Sequence, residues 1–153
     1  MTEKKLQIDC CNTKYEKTLC IIKPDGYIHK YEILNMIVKE GLIISKIKEE
    51  VLNSELLQQH YSHLLDKPFY HKLEMYMLSS PVILMIIEGD NAVSRLRDLV
   101  GPTDSTKASP DTIRRKFGKD ITYNAVHASD SVKNAECEIN LFFKEKQKVL
   151  RLE

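Results

Sequence analysis

Val82-Ile83-Leu84-Met85-Ile86-Ile87 is the longest uninterrupted apolar run of the chain, six residues bounded by Pro81 and Gly89. A run this short with no polar alternation reads as a strand covered on both faces, and it predicts the centre of a sheet. It falls far below the roughly 20 residues needed to span a bilayer. No apolar stretch near the N-terminus could serve as a signal peptide, and Glu3, Asp9 and Glu16 fit an acidic-poor transit peptide badly, so a cytoplasmic protein with no membrane partner is expected.

Outward from this strand the chain alternates. On its C-terminal side, Asp90 or Asn91 caps a helix carrying Val93, Leu96, Leu99 and Val100, which Gly101-Pro102 ends. Ser109-Pro110 opens a short helix that stops at Gly118; residues 121–126 form a strand; Ser129-Asp130-Ser131 caps a last helix with Val132, Ala135, Ile139 and Phe142 on one stripe. On its N-terminal side lies a helical stretch over 73–78, beyond Pro68. Before that, Ser54 caps a helix bearing Leu56, Leu57, His60, Tyr61 and Leu64. An Ile-rich strand over 42–47 and a helix over 31–40 with Gly41 as its stop precede it. The first strand, 19–22, ends in the turn Lys23-Pro24-Asp25-Gly26. Strands separated by one helix or by two predict an α+β sandwich, a ferredoxin-like βαββαβ core with a four-stranded antiparallel sheet and added helices.

The 153 residues suit one domain, expected over 17–143, with a flexible tail at 1–16 and a charged tail at 144–153. Net charge is +1, so nothing global draws the chain to nucleic acid, and any anion site must be local. Cys10, Cys11, Cys20 and Cys137 form no Cys-x-x-Cys pair and read as reduced thiols. Glycine occurs only at 26, 41, 89, 101 and 118, which excludes both G-x-x-x-x-G-K and G-x-G-x-x-G. Phosphate, if bound, must therefore be held by converging side chains. Candidates at element ends are Lys23, Arg97, Thr103, Arg114, Asn124, His127 and Glu138. Singly each has a plain structural reading, as a helix-end cation or a satisfied histidine.

Taken together, the blocks are specific. Ile21-Ile22-Lys23-Pro24-Asp25-Gly26, His60-Tyr61 ahead of Lys67-Pro68-Phe69-Tyr70, Ser79-Ser80-Pro81-Val82, Gly101-Pro102-Thr103, Thr112-Ile113-Arg114 and Asn124-Ala125-Val126-His127-Ala128-Ser129-Asp130-Ser131 occur in this order. In order and spacing the chain resembles the nucleoside diphosphate kinase family from about Lys17 to Phe143. The resemblance implies ping-pong transfer of the γ-phosphate of ATP to a nucleoside diphosphate through a phosphohistidine on His127. It implies that Arg97, Thr103 and Arg114 bind phosphate, that Tyr61 lies beside the histidine, and that Lys23 and Asn124 bind ribose hydroxyls and phosphate. Phe69 and Ile121 would sandwich the base, Glu138 hold the histidine ring, and Ser129 support Glu138. Mg²⁺ would arrive on the nucleotide phosphates with no metal ligands from the protein, and a homo-oligomer, hexamer or smaller, is implied.

The residue types fit that chemistry. An imidazole with a reference pKa of about 6.5 can attack phosphorus through one nitrogen while a carboxylate fixes the other. One well-placed arginine is worth on the order of 10³ in rate. A stacking site that ignores base edges tolerates every nucleobase. Three departures stand out. The segment after Gly26 is about two residues shorter than usual and lacks the family's Arg-Gly. Gly101-Pro102-Thr103-Asp104-Ser105 lacks a proline of a loop important in family hexamers. His-Gly-Ser is here His127-Ala128-Ser129; if that position needs φ > 0, Ala costs on the order of 1 kcal/mol and tilts the nucleophile. A catalytically weak or silent nucleotide-binding adaptor is the alternative these departures raise.

Overall fold

The computed structural model describes residues 13–144. The tails expected at 1–16 and 144–153, and Cys10 and Cys11, fall wholly or mostly outside those residues. Strand β1 (Tyr15–Ile22) starts before the boundary drawn at Lys17 and is longer than expected. It is followed by α1 (Lys30–Lys39), β2 (Ile43–Glu50), α2 (Ser54–His60) and α3 (Tyr70–Met77). Then come β3 (Val82–Asp90), α4 (Ala92–Val100), α5 (Ile113–Phe117), β4 (Val126–Ala128) and α6 (Val132–Phe142). The sheet runs β2-β3-β1-β4 and all its pairs are antiparallel, the α+β arrangement expected from the alternation of elements.

Period-two alternation along β1 divides the core. Cys20 and Ile22 face α1 and α4 on one side, with Met85 and Ile87 of β3; Leu19 and Ile21 face α2, α3 and α6 on the other, with Val82 and Leu84. All four β1 residues are fully buried, each apolar side chain contributing roughly 1.5–3 kcal/mol. With both its faces used, the interior sheet leaves function to the strand ends and loops.

Several boundaries move for identifiable reasons. Asn53, not Ser54, caps α2, its side chain accepting from Leu56 N at 2.8 Å. Thr112 caps α5 by accepting from Arg115 N at 3.2 Å, so that helix opens at Ile113 and not at Ser109-Pro110. Asn91 precedes α4 in a left-handed conformation with no side-chain cap; Glu16 of β1 accepts from Val93 N instead, at 3.3 Å. The strand expected over 121–126 is displaced to Val126–Ala128. Asp120 Oδ1 accepts from both Thr122 N and Tyr123 N at 2.8 Å, folding that stretch into a loop before it can pair. Among the described residues no helix is long and apolar enough to cross a membrane.

Candidate active site

The last strand carries the central group. His127 pairs with Ile21 of β1, and its Nε2 lies 2.6 Å from Glu138 Oε2 on α6. Ser129 Oγ donates to the same oxygen at 2.9 Å. The carboxylate thus takes Nε2–H, the tautomer in which Nδ1 keeps its lone pair, and Nδ1 has no hydrogen bond among the described residues.

Three cations lie around this ring. Lys23, at the end of β1 and 7% exposed, donates from Nζ to Asn124 Oδ1 at 2.8 Å. Burial lowers its ammonium to about 8, with Arg114 adding and Asp25 opposing. Arg114 on α5, also 7% exposed, donates to Gly101 O at 2.9 Å and Val126 O at 3.0 Å. Burial, then the neighbouring Arg97, lowers it to about 10, and its Nε has no partner. Arg97, in the last turn of α4, donates to Ala128 O at 3.3 Å. Cations gathered where they depress one another have an anion as their natural complement.

All the residues singled out in the sequence except Ser129 line one cavity of ≈ 540 Å³. Ser129 is buried behind Glu138. Asn124 Nδ2 ties the floor to the loops by donating to Thr103 O at 3.0 Å and Ile121 O at 3.1 Å. Phe69 and Ile121 line the cavity with large apolar side chains that are 52% and 62% exposed. Tyr61 is buried with its hydroxyl unpartnered, and desolvation, then Glu138, raises its phenol.

Ala128 sits in strand conformation opposite Cys20, so no φ > 0 is required there and the expected strain does not arise. The residue near His127 with positive φ is instead Ala125, at φ 71°, a position no propensity points to. His60 enters the sequence reading only on the apolar stripe of the helix expected to be capped by Ser54 and in the His60-Tyr61 block. Its ring stands perpendicular to that of His127, centroids 4.7 Å apart, both nitrogens unpartnered, and burial chiefly lowers it to about 2. Ligand atoms of His60, His127 and Glu138 lie within 4.8 Å of one another, but Glu138 Oε2 is already engaged by His127 Nε2 at 2.6 Å and Ser129 Oγ at 2.9 Å. Its adjacency to Tyr61 on the stripe of α2 was the available signal.

The sequence model of the family described as nucleoside diphosphate kinase matches residues 16–148. A curated nucleoside diphosphate kinase of Chlamydia abortus is 44% identical over 130 residues, 84% of this chain and 92% of that one. That of Archaeoglobus fulgidus is 42% identical over 130 residues, 84% and 86%. Among solved structures, the halophilic nucleoside diphosphate kinase of Halobacterium salinarum in complex with CDP superposes with a TM-score of 0.81 at 35% identity, covering 86% of this chain and 90% of that one. Such a match over nearly all of the described fold, with the imidazole, its carboxylate and the cations drawn into one cavity, leaves no ambiguity of kinship: the chain belongs to the nucleoside diphosphate kinase family.

Proposed function

We propose that this protein is an active nucleoside diphosphate kinase that works by ping-pong transfer through His127. The observation carrying the proposal is the His127 ring, held at Nε2 by Glu138 and open at Nδ1 beside Lys23, Arg97 and Arg114. In the first half-reaction Nδ1 attacks the γ-phosphorus of ATP; the P–N bond forms as the bond to the β,γ-bridging oxygen breaks, and ADP leaves with that electron pair. The Nε2 proton stays on the ring, where Glu138 and Ser129 stabilise the positive charge that develops. In the second, a terminal oxygen of an acceptor diphosphate attacks the same phosphorus and Nδ1 recovers its lone pair. Arg97, Arg114 and Lys23 compensate the phosphate charge, Thr103 adds a hydroxyl, and Asn124 with Lys23 reaches the ribose side.

Phe69 and Ile121 hold the base by its faces, which every nucleobase offers. The CDP bound to the Halobacterium salinarum relative is in keeping with a pyrimidine acceptor. The pocket's donors are mainly cationic or amide, and Glu138 and Asp130 are already hydrogen-bonded, by His127 and Ser129 and by Asn134. This set suits Mg²⁺ held on the nucleotide's own β- and γ-phosphate oxygens, where it would neutralise charge. The exposed apolar residues Ile43 and Ile47 on the edge strand β2 favour a homo-oligomer. With Ala128 unstrained, that ground for a silent adaptor is gone.

Incubation with γ-labelled ATP and Mg²⁺ should give an acid-labile, alkali-stable label that disappears in His127→Ala. Label that persists in that variant would exclude His127 as the carrier.

A further inference from the structure

Two residues before the nucleophile, the backbone takes a conformation that alanine does not choose. Ala125 has φ 71°, and Val126 N–H donates to Asn124 O at 2.8 Å, which closes a γ-turn of the rare, strained hand. Such a turn persists only where its surroundings over-determine it. Here both polar groups of Ala125 are taken by the turn after β1. Its N–H donates to Asp25 Oδ2 at 3.0 Å and its carbonyl accepts from Lys23 N–H at 2.9 Å. The fit is close, since a Cβ on Gly26 would lie 2.4 Å from Ala125 O.

Asp25 is itself held. Its Oδ1 accepts from the Tyr76 hydroxyl, and its N–H donates back to Tyr76 Oη at 3.2 Å. The Tyr76 ring stands edge-on to Tyr123, centroids 4.7 Å apart. Neither Asp25 nor Tyr76 lines the nucleotide cavity. Asp25 reaches it by its charge, which favours the Lys23 ammonium, and by its hydrogen bond to Ala125, the joint between two functional positions. Before it, Asn124 is tied to Lys23 Nζ and the carbonyls of Thr103 and Ile121; after it, Val126 and His127 pair with Ile22 and Ile21.

We propose that Asp25, held by Tyr76, is a positioning residue for phosphoryl transfer, clamping Ala125 in its left-handed turn and thereby setting the direction in which His127 meets the nucleotide. The proposal rests on the phosphotransfer reading above. Without the carboxylate, the buried Ala125 amide loses its acceptor, and rotation toward negative φ re-aims Asn124 and His127 together. Misplacement on the ångström scale is enough to slow a transfer of this kind about a hundredfold.

The test is single-turnover labelling by γ-labelled ATP alongside calorimetric affinity for ADP. Asp25→Ala is expected to slow labelling about ten- to a hundredfold and to change ADP affinity much less; Tyr76→Phe should slow it less. Ala125→Gly placed in the Asp25→Ala background should recover part of the rate, because glycine takes φ > 0 without strain. A bond that only stabilised the fold would give no such recovery. Labelling of Asp25→Ala at the parent's rate, or a double variant no faster than Asp25→Ala, overturns the proposal. If Asp25→Ala shows no cooperative melt, Tyr76→Phe decides: a slowed rate with an unchanged melt supports the clamp, and the parent's rate overturns it. A parent protein that takes up no label would be a different failure, that of the phosphotransfer reading and of everything resting on it.

Discussion

Lys23 is charged and almost wholly enclosed, and burial lowers it from 10.5 to about 8. Between those values the unfolded chain binds the proton that the folded chain has lost, so stability rises with pH across that interval and the full penalty is present below about 8. Replacing the ammonium by an apolar side chain of similar length removes the penalty. Lys23→Met is therefore expected to raise the melting temperature of the nucleotide-free protein at pH 7 by about 2–4 °C, the equivalent of about 1 kcal/mol, and the gain should shrink when the melts are repeated near pH 9.5. The same change should abolish labelling, and ADP affinity should fall above about pH 8 in the parent but not in Lys23→Met. Arg114 has a second duty in bridging Gly101 O and Val126 O, which a lysine cannot reproduce. Arg114→Ala should lower steady-state phosphate exchange between ATP and a non-adenine diphosphate by about 10²–10³, with Arg114→Lys recovering little. Singly these residues read as plain turn and helix-end cations, and they stood out in the sequence only through the ordered blocks that carry the family resemblance. The conformation of Ala125 was not legible, since it runs against the preference of its own residue type and is imposed by Asp25 and Lys23, 100 or more residues away.

At the scale of elements, the pattern of apolar residues located the helices and the first three strands, and side-chain hydrogen bonds moved the starts of α2, α5 and β4. Residues 121–126 carry Ile, Thr, Tyr and Val, good strand formers, yet Asp120 captures two amides and the pairing starts only at Val126. Glu16 caps α4 from a neighbouring strand, a contact no local window contains. The turn that ends α5 is set by close approach rather than by a special dihedral. A Cβ on Gly118 would lie 2.2 Å from Ser105 Oγ, 2.8 Å from Arg114 O and 3.0 Å from Asn124 Cα. The first neighbour can rotate away, but the other two are backbone. Gly118→Ala should cost about 1–3 kcal/mol, read as a lower urea midpoint with an unchanged slope. Because α5 bears Arg114 and the next loop ends at Asn124, phosphate exchange should fall in the same variant at temperatures where it remains folded.

For the whole molecule, the sheet separates two apolar cores and gathers its chemistry at one edge, where β1 ends, β4 begins and the loops after α4 and α5 meet. That gathering follows from topology: β4 pairs with β1, and so His127 comes to lie beside the turn that carries Lys23. Cations that repel one another around a cavity favour an anionic ligand, and its binding must appear as a stability increment of RT ln(1 + [L]/Kd). At a hundred times Kd this is about 2.7 kcal/mol, or a rise of about 5–10 °C for a chain of this length. ADP, GDP, CDP and UDP, all at one common concentration, should produce rises within about 2 °C of one another, and their Kd values should lie close together, because on the proposed reading Phe69 and Ile121 would touch the base by its faces and no cation would read its edge. A differential scanning measurement checks both parts. Stabilisation by one base alone would show that an edge of the base is read, which no stacking pair can do; equal stabilisation by the four diphosphates but none by the nucleosides would place the binding energy on Lys23, Arg97 and Arg114.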